Sequence, residues 1–148
     1  MTHADYTVRM LAANEVALLM EADPAIFDHP VSLRFTKEFL GDPRHHIAVA
    51  LADGRVVGSA TATHYVHPDQ PPTLFIIEVA VSPDHQQRGL AKAMLQTLIA
   101  RGRDLGCTNA WVGTEKTNTA AQALYAAAGG SLDPDAFVTY SFDLQRPG

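Results

Sequence analysis

Six stretches of the chain either alternate apolar and polar residues or run apolar residues together, and such stretches predict β-strands. They cover residues 6–11, 46–52, 55–66, 73–81, 107–114 and 136–142. Asp53-Gly54 separates the second stretch from the third, and this pair readily takes the positive φ angles of a tight turn. Residues 67–72 include three prolines, which lack the N–H donors of a sheet ladder. The sequence therefore predicts an antiparallel hairpin, then a loop, then a third strand.

Four further stretches carry apolar residues at helical spacing. The first lies between Asn14, its predicted N-cap, and Asp23-Pro24, which end it. The second covers residues 33–40 behind Ser32 as N-cap, the third 87–101 and the fourth 119–128. The third should end near Gly102 and Gly106, the fourth at Gly129-Gly130. In the second helix we expect these residues to face inward: Leu33, Phe35, Phe39 and Leu40.

The predicted order of elements is β α α β β β α β α β. Because a helix intervenes between strands 73–81 and 107–114, these two strands should run parallel through a right-handed crossover. The predicted fold class is α/β (α+β), with a mixed central sheet flanked by about four helices. A chain of 148 residues can bury a substantial core as one domain, which we expect to cover residues 1–148.

Composition narrows the classes of function. Eleven Lys and Arg against 16 Asp and Glu give a net charge of −5, which argues against a nucleic-acid partner and is compatible with a cationic small substrate. The lone Cys107 excludes an intramolecular disulfide framework. The first residues lack the pattern of a signal peptide, and no apolar run approaches the roughly 20 residues that cross a bilayer. We therefore expect a cytoplasmic protein without a membrane partner.

The junction between strand 73–81 and the third helix is the first candidate for chemistry. Gly89 has no Cβ, and a helix start offers free N–H groups and a positive dipole end that suit a phosphate. The spacing Gln86-x-x-Gly89-x-Ala91 is similar to the pyrophosphate-binding signature Gln/Arg-x-x-Gly-x-Gly/Ala of the GNAT acetyltransferase superfamily. A glycine at this point also has a simple capping explanation.

A second motif strengthens this resemblance. Asn118-x-x-Ala121-x-x-Leu124-Tyr125-x-x-x-Gly129 is similar to the Asn-x-x-Ala-x-x-Leu-Tyr-x-x-x-Gly segment of the same superfamily, and the order of elements looks like the whole GNAT fold. The resemblance implies acetyl-coenzyme A as co-substrate and no metal. The coenzyme-binding residues that it implies are Val79, Ala80, Val81, Gln86, Gln87, Arg88, Gly89, Leu90, Ala91, Asn118, Ala121 and Tyr125. The alternative is that Asn118 is a helix cap and Tyr125 a core aromatic whose hydroxyl finds a partner.

Acetyl transfer to an amine needs a general base for the amine and a general acid for the leaving thiolate. Glu78 is the candidate base, since it interrupts an apolar strand in which a carboxylate is costly to bury unless paired or used. A salt-bridged glutamate on the strand face is the alternative. The resemblance places Tyr125 near the thioester sulfur, where its phenol would be the acid. The N–H of Val79 is the expected donor to the oxyanion.

The acceptor amine is suggested by a narrower resemblance. Residues 78–82 and 138–144 look like the aminoglycoside 3-N-acetyltransferases of the type I group. The predicted acceptor-binding residues are Asp28, His29, His64, Glu78, Glu115 and Asp135. An acetyltransferase for a peptide terminus or small metabolite amine, and a non-catalytic acyl-coenzyme A binding module, are the competing interpretations. The closing strand could serve as an edge in a homodimer.

The seven histidines raise a further possibility, a metal site. The pairs His45-His46 and His64-x-x-His67 carry the right donor atoms. However, residues i and i+3 of a strand point to opposite faces, and no Cys or carboxylate completes a set at ligand spacing. We therefore predict no metal.

Overall fold

The architecture is that of a computed structural model, which describes residues 5–133 and 137–145. Its elements are β1 (Tyr6–Met10), α1 (Val16–Met20), α2 (Leu33–Gly41), β2 (His45–Ala52), β3 (Arg55–Tyr65), β4 (Thr73–Val81), α3 (Leu90–Asp104), β5 (Asn109–Trp111) and α4 (Thr119–Ala127). The strands form one sheet in the order β1-β2-β3-β4-β5. The first three pairings are antiparallel and β4 pairs parallel with β5. The mixed sheet and its four helices confirm the predicted fold class.

Alternation along the strands separates two cores, one on each face of the sheet. On β2 the small side chains of Ala48 and Ala50 face α3, which packs Met94, Leu95 and Leu98 against them. The intervening larger residues face α1 and α2, where the second core consists of Leu11, Leu19, Ala22, Ile26, Leu40, Ile47, Val49, Leu51 and Val56. The sheet is thus covered on both faces, by α3 on one and by α1 and α2 on the other.

The hairpin between β2 and β3 is confirmed, with φ angles of 48° at Asp53 and 84° at Gly54. The limits of α3 differ from the prediction. Gly89 is its N-cap in the left-handed conformation, with φ 76°, so the helix begins at Leu90. Gly102, predicted to mark the end, lies inside the helix. A glycine suits this position because a Cβ there would stand 3.0 Å from a methyl group of Leu74. The helix ends before Gly106, which has φ 87°.

Three details of the first helices were predicted wrongly. Glu15, and not Asn14, occupies the N-cap of α1. In α2 the Ser32 hydroxyl accepts the N–H of Phe35 as predicted, but the side chains of Leu33 and Phe35 are 48% and 63% exposed. A helix of nine residues has only a narrow buried stripe, which Leu40 and the polar Thr36 occupy.

The predicted closing strand is also wrong where the structure describes it. Residues 137–142 form no strand, and their apolar side chains are exposed, from 68% at Phe137 to 82% at Phe142. Ala136 lies outside the described residues. The neighbouring β5 covers only Asn109–Trp111, not the predicted 107–114. A strand that short offers few backbone groups for pairing a further strand.

Candidate active site

A β-bulge in β4 decides where Glu78 points. Thr61 of β3 pairs with Glu78 and the next residue, Ala62, pairs with Ile76, so Ile77 is one residue too many on β4. An extra residue reverses the alternation of side chains beyond it. Ile76 lies in the core beneath α3, and beyond the bulge it is Val79 that packs there. Glu78 therefore lies on the opposite face, towards α1 and α2.

On that face Glu78 lines a cleft of about 320 Å³. Asp28 and His29, from the connection between α1 and α2, lie in the same cleft, so the structure brings together three of the predicted acceptor residues. The other lining residues are Leu19, Phe27, Pro30, Val31, Ser32, Phe35, Thr36, Phe39, Ile47 and Thr61. The Glu78 side chain is exposed, so the expected penalty for burying it does not arise. Its position in the cleft, not its burial, marks it as a candidate base.

The sequence did not reveal the aromatic wall of this cleft. Phe27, Phe35 and Phe39 all line it, whereas periodicity had placed Phe35 and Phe39 simply in the core. The signal was a helical apolar stripe, which looks the same whether a helix covers a core or a cleft. A larger, open depression of about 590 Å³ lies at the end of α2, lined by residues of 37–44. No motif residue lies there.

The edge of β4 is open beside this cleft. β5 pairs with β4 only from Thr73 to Phe75. Beyond that point, within the described chain, the residues of β4 up to Val81 pair with β3 alone. Val79, Ala80 and Val81 thus leave backbone groups on the β5 side without a strand partner. An extended ligand with amide groups could pair with such an edge.

The loop between β4 and α3 is shaped for an anion. Gln87 and Gly89 both have positive φ angles, 61° and 76°, and the residues from Gln86 to Gly89 are exposed. A Cβ built at Gly89 would meet no atom within 4 Å, so the space above it is open. The first backbone bond of α3 runs from the N–H of Ala93 to Gly89, so the N–H groups of Leu90 and Ala91 have no helical acceptor. The loop therefore offers free N–H groups in an open space, which is what an anion-binding site requires.

Asn118 and Tyr125 lie on α4. Asn118 is the N-cap of the helix, and its side-chain oxygen accepts the N–H of Ala121 at 3.0 Å, as expected of a capping residue. Tyr125 is half-buried against the core beneath α3. Burial raises the pKa of its phenol above the usual value, so the hydroxyl keeps its proton at neutral pH.

The remaining predicted acceptor residues lie elsewhere. His64 forms a hydrogen bond with His46, with 2.8 Å between Nδ1 and Nε2, and does not line the cleft. Glu115 lies in the exposed connection between β5 and α4, also away from the cleft lining. Asp135 lies outside the described residues. Among the described residues, no group of three or more His, Cys, Asp or Glu side chains could hold a metal ion. No helix within 5–133 or 137–145 has the length and apolar character to span a membrane.

Known proteins resemble this chain in sequence. Residues 14–129 match the family model described as acetyltransferase (GNAT) family. An uncharacterized N-acetyltransferase of Mycobacterium tuberculosis is 33% identical over 98 residues, 66% of this chain and 60% of that protein. An L-2,4-diaminobutyric acid acetyltransferase of Nocardia farcinica is 38% identical over 53% of this chain and 40% of its own. An aminoglycoside N(6′)-acetyltransferase of Salmonella typhimurium is 33% identical over 57% of this chain and 62% of its own.

Solved structures share the fold. An aminoglycoside acetyltransferase from a soil metagenomic sample superposes with a TM-score of 0.81 at 18% identity, over 94% of this chain and 96% of that one. Aminoglycoside N-acetyltransferase AAC(6′)-Iy in complex with coenzyme A has a TM-score of 0.77 at 23% identity, over 95% and 97%. In sequence, the match spans about 60% of the length of the mycobacterial relative. The family model covers most of the chain, including both motifs and Glu78, and the chain therefore belongs to the GNAT acetyltransferase family.

Proposed function

We propose that the protein transfers the acetyl group of acetyl-coenzyme A to a primary amine of a small cationic molecule. The observation that carries this proposal is the bulge in β4, which turns Glu78 into the cleft while the same strand leads into the loop at Gly89. One strand thus serves two ligands. Its edge and the following loop suit the coenzyme, and its face presents a carboxylate to the amine.

Each proposed catalytic residue has one task. Glu78 accepts a proton from the amine, which can attack the thioester carbon only as the free base. The N–H of Val79 donates to the carbonyl oxygen as negative charge develops there. When the carbon–sulfur bond breaks, the Tyr125 hydroxyl donates to the departing sulfur. The raised pKa of Tyr125 keeps this donor protonated well above neutral pH.

The charges of the cleft favour a cationic acceptor. Asp28 and Glu78 line it, and no Lys or Arg is among its described lining residues. An aminoglycoside carries several ammonium groups, so it suits such a site, and a sequence relative bears that activity in its name. The 3-N position rests on the resemblance of residues 78–82 and 138–144, whereas this relative is named for the 6′ position. Analysis of the acetylated product by NMR distinguishes the two positions.

The size of the cleft favours a second candidate, a smaller metabolite amine. About 320 Å³ with a wall of three phenylalanines suits a compact acceptor with some apolar surface. The relative from Nocardia is named for L-2,4-diaminobutyric acid, which is a compact amine. However, the described lining has no Lys or Arg to pair with its carboxylate, and only the neutral hydroxyls of Ser32, Thr36 and Thr61 and the imidazole of His29 could donate to it. Amines without a carboxylate are therefore the better members of this class.

Release of free thiol from acetyl-coenzyme A, measured across aminoglycosides, polyamines, diamino acids and peptides, tests the proposal. Turnover should be highest with a cationic amine, and Glu78→Gln should lower kcat by about 100-fold. Tyr125→Phe should lower kcat with little change in the KM of the amine. Glu21→Gln, which alters an exposed carboxylate outside the cleft, serves as the matched control. Coenzyme binding without turnover of any amine would favour the non-catalytic binding module instead.

A further inference from the structure

A side chain from the opposite edge of the sheet reaches the loop before α3. The Tyr6 hydroxyl, on β1, lies 2.7 Å from Nδ1 of His85, and the two rings meet edge to face with centroids 5.6 Å apart. The guanidinium carbon of Arg88 lies 5.7 Å from the centroid of the same Tyr6 ring, within the range of a cation–π contact. Tyr6 therefore contacts the loop at two points, on either side of Gln86 and Gln87.

The second half of this loop is less well supported than the first. Gln87 has a φ of 61°, a left-handed conformation that is strained for a residue with a Cβ. The side chain of Gln86 donates to the carbonyl of Val81, at the start of the loop. Ser82 is anchored, since its hydroxyl donates to Asp23 at 2.7 Å and its N–H donates to Val57. The first half of the loop is therefore held by a 3-10 turn at Pro83–His85, in which the N–H of His85 donates to Ser82, whereas the part from Gln87 to Gly89 is exposed and gains the contact of Arg88 with Tyr6.

We propose that Tyr6 is a positioning residue for the coenzyme: it holds His85 and Arg88 so that the loop is preorganised for the pyrophosphate. This inference rests on the proposed function. Tyr6 acts through the loop and not by touching the coenzyme. In this arrangement the hydroxyl is to donate to Nδ1 of His85, which would fix the imidazole tautomer with hydrogen on Nε2; the reverse direction would require hydrogen on Nδ1. Its ring holds the Arg88 guanidinium beside the exposed helix start, where positive charge favours an anion.

Two substitutions separate the contacts. Tyr6→Phe removes the hydroxyl and keeps the ring beneath Arg88, whereas Tyr6→Leu removes both. Tyr65→Phe is the matched control, because it also removes a hydroxyl that bonds a side chain, the indole N–H of Trp111 at 2.9 Å, away from the loop. The dissociation constant of coenzyme A, measured by calorimetry, should rise about threefold to tenfold in Tyr6→Phe, the range of one lost hydrogen bond, and further in Tyr6→Leu.

Kinetics and NMR complete the test. The KM of acetyl-coenzyme A should rise with the dissociation constant, while kcat and the KM of the amine stay within about twofold. The ¹⁵N shifts of His85 should show hydrogen on Nε2 in the wild type and a mixture of tautomers in Tyr6→Phe. If the wild type binds coenzyme A and Tyr6→Phe binds it equally well, the inference is overturned.

The two proposals fail in different ways. A wild type that does not bind coenzyme A removes the proposed function, and the His85 tautomer then still shows whether Tyr6 holds the loop. Should Tyr6→Leu not fold, Tyr6→Phe decides alone, since it keeps the ring and its packing.

Discussion

Lowering the pH from 8 to 5 should destabilise the fold by about 2 kcal/mol through one buried imidazole, that of His46. His46 lies on β2 and is only 6% exposed, and its Nε2 is 2.8 Å from Nδ1 of His64. Burial, and then the charges of His64 and Arg101, lower the pKa of His46 from 6.5 to about 4. The native protein therefore keeps this imidazole neutral at a pH where the unfolded chain protonates it.

The sign and the size follow from this difference in pKa. Between pH 6.5 and 4 the unfolded state binds the extra proton, so the free energy of unfolding falls as the pH falls. The loss should be about 2 kcal/mol at pH 5 and level off near 3 kcal/mol below pH 4. The acids with lowered pKa values, Glu15, Asp23 and Asp42, contribute little between pH 8 and 5, because the unfolded chain protonates such carboxylates only near and below their ordinary pKa of about 4.

Urea unfolding followed by circular dichroism at pH 5, 6, 7 and 8 measures the effect. His46→Gln keeps a donor for His64 and removes the titrating group, so its stability should vary much less across this range. His67→Gln, in the exposed loop before β4, should keep the pH dependence of the wild-type free energy of unfolding. If the free energy of unfolding varied with pH equally in the wild type and in His46→Gln, the reasoning would be refuted, because the pH dependence would then come from other groups.

Two further predictions concern the coenzyme and the assembly. Gly89→Glu should weaken coenzyme A binding at least 100-fold, since it adds a negative charge at the helix start and a Cβ at a φ of 76°. Glu38→Gln, on the exposed face of α2, is the control. An unchanged dissociation constant of coenzyme A in Gly89→Glu would contradict the pyrophosphate site. We also propose a homodimer, because the apolar side chains of 137–144 are exposed, and the ring centroid of Phe137 lies 6.4 Å from that of Trp111 in β5. Light scattering should show twice the chain mass, reduced to one chain by Tyr140→Ser combined with Phe142→Ser; a wild-type monomer at micromolar concentration would exclude it.

Local signals predicted most of the sheet. Asp53-Gly54 defines the β2–β3 hairpin because few other pairs accept two successive positive φ angles. The long apolar stripe of α3 was equally clear. The short α2 was harder, since Leu33 and Phe35 have the same apolar character as Leu40, and only the tertiary fold decides which of them is covered. The stretch after α4 alternates like a strand, yet alternation alone supplies no partner for pairing.

The placement of Glu78 shows why the site was only partly predictable. Regular alternation from Leu74 and Ile76 would put Glu78 in the core beneath α3, where an unpaired carboxylate is strongly unfavourable. The two successive isoleucines at 76 and 77 conceal the point at which the alternation changes, because either could be the inward residue. Pairing with β3 resolves this, since only the register between Thr61 and Ala62 shows that Ile77 is the extra residue. The bulge therefore leaves Val79 in the core and turns Glu78 into the acceptor cleft, so a backbone irregularity, and not the choice of glutamate alone, accounts for the proposed general base.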